Sequence, residues 1–125
     1  MKKVINISNA PKPIAPYSQA IFTNGILYIS MQIPIDPYTG NLITGDIKFQ
    51  TKQILENIKS ILKEVNMDLS NIVKCSIFIS DMKIYGEVNE VYGSYFKENP
   101  PAREAIQVAG LPMNVDIGIS CIAVE

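Results

Sequence analysis

A chain of 125 residues with 47% hydrophobic side chains is long enough for one domain with a real core. Its 11 basic and 12 acidic side chains leave a formal net charge of -1, which argues against nucleic acid or an anionic membrane surface as partner. Histidine is absent, removing the usual general base and the commonest neutral metal ligand; with Cys75 and Cys121 the only cysteines, no zinc or haem site is expected.

The start, Met1 to Ile7, carries positive charge but lacks the apolar run of a signal peptide, and no window is long enough to span a bilayer. Both cysteines lie inside apolar runs, which suits core residues in a reducing, cytoplasmic compartment. Val4 to Ile7 reads as a short strand, and the prolines of Asn9 to Pro16 make the next segment a loop that ends beside Tyr17. Gln19 to Thr23 and Ile26 to Ile33 flank Asn24-Gly25, the turn signal of a β-hairpin. Alternation in the second run puts Leu27, Ile29, Met31 and Ile33 on an apolar face and Ile26, Tyr28, Ser30 and Gln32 on the other. Met31 is therefore expected to point at the core and Ser30 away from it.

Asp46 is the expected N-cap of a helix reaching about Asn66, with Ile54, Leu55, Ile58, Ile61, Leu62 and Val65 at helical spacing. Ile72 to Ser80 alternates as a strand, and strand, helix, strand is the pattern of a right-handed crossover between parallel strands. A second helix is expected from an Asp81 cap, with Ile84, Val88, Val91, Tyr92, Tyr95 and Phe96 at helical intervals. Gly86 and Gly93 inside it cost about 1 kcal/mol each relative to alanine, so packing must hold it, and they would allow a close helix-to-sheet approach.

Arg103 to Val108 and Val115 to Val124 are strands by composition. Arg103, Ala105 and Gln107 share one face of the first; Asp116, Gly118 and Ser120 share one face of the second; both sets are expected to face solvent or a pocket. The order β-β-β-α-β-α-β-β predicts a single α+β domain over residues 1–125, a mixed α/β sandwich with both helices on one face of a mixed sheet. The other face would carry Tyr28, Phe78, Ile122 and Val124, and an apolar face of that kind predicts an oligomer with pockets between subunits.

Pro100 and Pro101 deny the backbone its donors and force extended geometry ahead of Arg103, which stiffens the approach to the guanidinium. A planar, permanently charged fork suits a carboxylate. The motif alone ranks a surface arginine or a structural ion pair above such an anion clamp.

Four stretches weigh against that ranking: Ala15-Pro16-Tyr17-Ser18-Gln19, Ser30-Met31-Gln32-Ile33, Val88-Asn89-Glu90-Val91-Tyr92, and Pro101-Ala102-Arg103 through Leu111-Pro112. Together, in order and at matching spacing over essentially the whole chain, they resemble the Rid family of reactive-intermediate deaminases, also called the YjgF or L-PSP family. The resemblance implies a chorismate-mutase-like fold and a homotrimer with clefts between subunits. It further implies hydrolysis of 2-iminobutanoate, 2-iminopropanoate or their enamine tautomers to 2-oxo acids and ammonia, with no metal or cofactor.

By position, the resemblance makes Arg103 the residue that pairs with the substrate carboxylate and the catalytic residue of first interest. Tyr17, Ser30 and Asn89 become pocket residues, and Met31, Ala105 and Gly118 substrate-binding positions that differ from the family pattern. Met31 stands for a glycine and Ala105 for a cysteine of many members. Gly118 stands for a glutamate that, in the deaminase branch, positions or activates water. Loss of a general base costs roughly 10²–10⁴ in rate, so the expectation is imine deaminase chemistry weakened at Gly118. A non-catalytic or regulatory binder of small carboxylates, 2-oxo acids among them, is the second reading. An endoribonuclease or translation inhibitor is the third, and the neutral charge and missing histidine argue against it.

Overall fold

The periodicities of the chain resolve into six strands and two helices in a computed structural model that describes residues 1–125. In chain order these are β1 (Lys3–Ile5), β2 (Ala20–Thr23), β3 (Ile26–Gln32), α1 (Ile47–Glu64), β4 (Ile72–Ile79), α2 (Tyr85–Tyr95), β5 (Ala102–Gln107) and β6 (Ile117–Val124). They form the α+β arrangement read from the element order, with one mixed sheet in the strand order β1-β2-β3-β6-β4-β5. The last strand, β6, inserts between β3 and β4 and runs antiparallel to both. The strands flanking α1 therefore share a direction without touching, and the directly paired parallel strands are β4 and β5, joined through α2.

Local chemistry sets the elements. Asn24 and Gly25 take positive φ of 50° and 76°, the backbone a two-residue hairpin turn demands, and hold β2 and β3 in register from Thr23↔Ile26 to Ala20↔Ile29. The Asp46 carboxylate accepts hydrogen bonds from the Lys48 and Phe49 amides and so caps α1. At the other end Asn66 takes φ 59° and turns the chain out of the helix. Ile54, Leu55, Ile58, Ile61 and Leu62 are fully buried along α1, each worth about 1.5–3 kcal/mol of apolar burial. They meet Leu27, Ile29, Ile77, Ile79, Ile117 and Ile119 from the sheet in one core.

The second helix begins later than its cap suggests. Asp81 accepts from the Lys83 amide at 2.9 Å and closes a 3-10 turn over Met82–Ile84, which runs directly into α2 at Tyr85. Of α2, Val88 and Tyr92 are buried. Nothing lies within 4 Å of where a Cβ would sit on Gly86 or Gly93, so the expected close approach at these glycines is not made.

Both helices cover the same sheet face, and the other is bare. Tyr28 and Ile106 are exposed there, with Phe78, Ile122 and Val124 half-buried beside them. Polar atoms cross this face at one edge, where Glu104 accepts from the Ser76 hydroxyl and pairs with Lys74 at 3.0 Å. The Ser76 hydrogen bond and then Lys74 hold the Glu104 carboxyl below the usual glutamate range. No helix is long and apolar enough to cross a membrane.

The segment between β1 and β2 is organised by a buried amide. Gln19 accepts from the Ile7 amide at 2.7 Å and donates to the carbonyls of Ile7, Ala10 and Pro11 at 3.0, 3.2 and 2.9 Å. One side chain thus holds the proline loop that ends on Tyr17. Gln19→Leu strands these groups without partners and is expected to cost about 3 kcal/mol, read as a lowered urea midpoint. An unchanged midpoint would show that the loop is not held by this amide.

Candidate functional site

Arg103 is the one arginine of the chain, the other ten basic residues being lysines. It stands on β5 opposite Cys75 of β4 in a parallel register, and Cys75 belongs to the core beneath the helices. Arg103 therefore rises on the helix side of the sheet, where α2 covers it, rather than toward open solvent. The reason is the strand pairing: with β5 parallel to β4, side chains in register share a face, and the residues of β4 that oppose Arg103, Ala105 and Gln107 are the core residues Cys75, Ile77 and Ile79.

At that position the guanidinium meets α2. Nη1 donates to Asn89 Oδ1 and Nη2 donates to the Tyr85 phenol oxygen, both at 2.8 Å. The guanidinium carbon lies 4.8 Å from the centre of the Tyr92 ring and 5.6 Å from that of Tyr85. Residues 85, 89 and 92 follow at intervals of four and three, so one stripe of α2 supplies the whole seat. Burial pushes the Tyr92 phenol above its usual range, so it stays neutral beneath the cation. Its hydroxyl has no hydrogen-bond partner.

The three salt bridges of the structure join lysines to Glu90, Glu56 and Glu104, and none involves Arg103. A half-buried guanidinium thus keeps its full charge, satisfied on one side by neutral acceptors, with three of its five N–H groups free for an anion. Ala105, two residues along, packs against the helix-side core. Deeper still, Cys75 and Cys121 face each other across β4 and β6 as free thiols, with sulfurs 3.4 Å apart. The contact with Cys75, reinforced by burial, pushes the Cys121 thiol well up.

The remaining predicted residues gather on the opposite face. Ser30 donates its hydroxyl proton to the Ser18 carbonyl at 2.7 Å, which leaves its oxygen lone pairs to accept. Tyr17 is exposed, its phenol oxygen accepting a long hydrogen bond from the Ile14 amide, and it lines a small crevice together with Met31. Gly118 sits between Ile117 and Ile119, both of which point into the core, so its own Cα faces the bare side.

Met31 corrects the sequence reading. The pairing of β3 with β6 slips by one residue between Ile29↔Cys121 and Gln32↔Ile119, a β-bulge. Gln32 is thereby turned inward and buried, donating to the Ser30 carbonyl, while Met31 turns to the bare face. A Cβ on Gly118 would lie 2.6 Å from Met31 Sδ and 2.8 Å from its Cγ. The methionine occupies the space that any side chain at 118 would need.

The two clusters lie on opposite faces, and β3 is three strand positions from β5, roughly 14 Å across the sheet. Hollows of about 650, 610 and 570 Å³ on the surface are lined by neither cluster. Each cluster is thus an open half-site within one chain. The residue missed from sequence is Tyr85; its signal was a position one helical turn before Asn89.

A family model described as Endoribonuclease L-PSP matches residues 7–125. A RutC family protein of Pyrococcus horikoshii is 51% identical over 98% of each chain. The 2-iminobutanoate/2-iminopropanoate deaminase of Homo sapiens is 42% identical over 100% of this chain and 91% of its own. Among solved structures, Escherichia coli TdcF with bound serine superposes with a TM-score of 0.94 at 35% identity over 98% of both chains.

The contact of Met31 with Gly118 predicts a coupled pair. Gly118→Ala is expected to cost about 1–3 kcal/mol through overpacking, and much less in a Met31→Ala background. Additive shifts in thermal unfolding across that double-mutant cycle would mean the two positions do not touch.

Proposed function

The chain belongs to the Endoribonuclease L-PSP family, also called the YjgF or Rid family, and from that premise we propose that it hydrolyses small 2-imino acids to 2-oxo acids and ammonia. The observation that carries this reading is Arg103, a half-buried guanidinium with its charge unneutralised and three N–H groups free. A carboxylate of the substrate takes that fork, a contact worth roughly 1.5–3 kcal/mol. Water then adds to the imine carbon while the nitrogen is protonated, and the carbinolamine collapses with loss of ammonia. The names of the human, mouse and rat relatives support the same chemistry.

No carboxylate or imidazole stands at position 118 to take a proton from that water. Ser30, whose proton is spent on the Ser18 carbonyl, is suited to accept a hydrogen bond from it, and Tyr17 and Ser120 are further hydroxyls of the bare face. An imine is itself prone to hydrolysis, so orientation alone accelerates it. A cleft that uses Arg103 together with Ser30 and Tyr17 requires two copies of the chain, because one chain carries them on opposite faces. We read the bare apolar face as the surface that joins copies into a homotrimer with clefts between neighbours. The two free thiols suit a reducing, cytoplasmic setting.

Gly118 with Met31 above it favours one second reading, in which the same cleft binds 2-oxo or other small carboxylates without turnover. The two readings separate in a coupled assay. With a dehydratase or amino-acid oxidase generating imine before a semicarbazide trap, the protein is expected to lower the trapped imine, and Arg103→Ala to abolish the effect. Unchanged trapping by the wild type, with 2-oxobutyrate uptake in calorimetry lost only in Arg103→Ala, would leave the binder. Gly118→Glu alone is expected to add nothing, because Met31 fills the space; Met31→Gly with Gly118→Glu is expected to raise turnover about tenfold or more.

A further inference from the structure

The seat of Arg103 contains a group with no assigned role. Tyr85, the first residue of α2, brings its phenol oxygen to 2.8 Å from Nη2, while Asn89 holds Nη1 at the same distance. A guanidinium held at one terminal nitrogen still swings as a rigid plane about its Cγ–Cδ and Cδ–Nε bonds. Held at both, with the Tyr92 ring 4.8 Å away, its plane has one orientation and presents one free edge. Both acceptors are uncharged, so they orient the cation without neutralising it. Resting on the reading of Arg103 as the carboxylate clamp, we propose that Tyr85 is a positioning residue that fixes which edge of the guanidinium meets the carboxylate, and so contributes selectivity for acids over their neutral analogues.

The chemistry is specific to the phenol oxygen. Phenylalanine at 85 keeps the ring beside the guanidinium and the start of the helix, and removes only the acceptor. It is therefore a fair test of orientation rather than of packing.

Because Arg103 is the one arginine, its guanidinium resonances are assigned without ambiguity in a ¹⁵N spectrum. In the wild type, rotation about the Cζ–Nη bonds is expected to be slow enough to separate the Nη protons, and in Tyr85→Phe they are expected to merge. Binding is read alongside with two probes, 2-oxobutyrate and the neutral 2-oxobutyramide. Tyr85→Phe is expected to weaken the carboxylate about tenfold and leave the amide unchanged, since only the acid uses the oriented fork. Identical guanidinium spectra in wild type and variant overturn the proposal whatever the ligand, as does equal weakening of both probes, which marks a merely structural tyrosine. Failure of the clamp itself is a separate result: wild type and Arg103→Ala would then take up 2-oxobutyrate alike while the spectra still differed at Tyr85.

Discussion

The apolar stripe of α1 can be buried against only one face of a sheet, and almost every functional feature of the molecule depends on which face that is. Once Ile54, Ile58 and Ile61 are packed on Leu27, Ile77 and Ile119, the inward residues of every strand are decided. Gly118 and Ser120 are turned to the bare side, and Arg103 to the helix side, by the same packing. The division of the candidate site into two halves follows from the core, with no further cause needed.

Arg103 shows how a protein can keep a charge available. The guanidinium of a partly buried arginine loses hydration and would ordinarily be offset by a carboxylate. Here α2 offers a carboxamide oxygen, a phenol oxygen and an aromatic face instead. These satisfy N–H groups and favour the cation through dipole and quadrupole while leaving the net positive charge unneutralised. The depth of Tyr92 also has a cost, a hydroxyl without a hydrogen-bond partner, which the core tolerates beneath the seat.

On the opposite face the decisive feature is one extra residue in β3. A bulge reverses the parity of everything beyond it, and in this strand it exchanges Gln32 and Met31. The thioether then lies against a strand position with no side chain, so positions 31 and 118 form one unit of volume although they are far apart in sequence. Chemistry at 118 is in this way tied to the size of residue 31.

Much of this was legible in the chain before any coordinates. The Asn24-Gly25 hairpin, the α1 stripe with its Asp46 cap and the alternation of β4 are local signals, and local signals survive because backbone preference and side-chain period act within a few residues. Arg103 and Asn89 were also singled out in the chain, as residue types in matching order, and the fold brings the two into contact. What could not be read is whatever depends on a neighbouring strand or helix. The insertion of β6 between β3 and β4, the parallel register that sends Arg103 toward α2, and the bulge that turns Met31 outward are all fixed by pairing between distant segments. Composition and periodicity thus established the elements, because those follow from short-range chemistry, while the candidate residues came from the resemblance of four stretches to a known family. Only the tertiary structure decided which face each residue occupies and that Tyr85 completes the seat of Arg103, because face and contact are properties of packed partners.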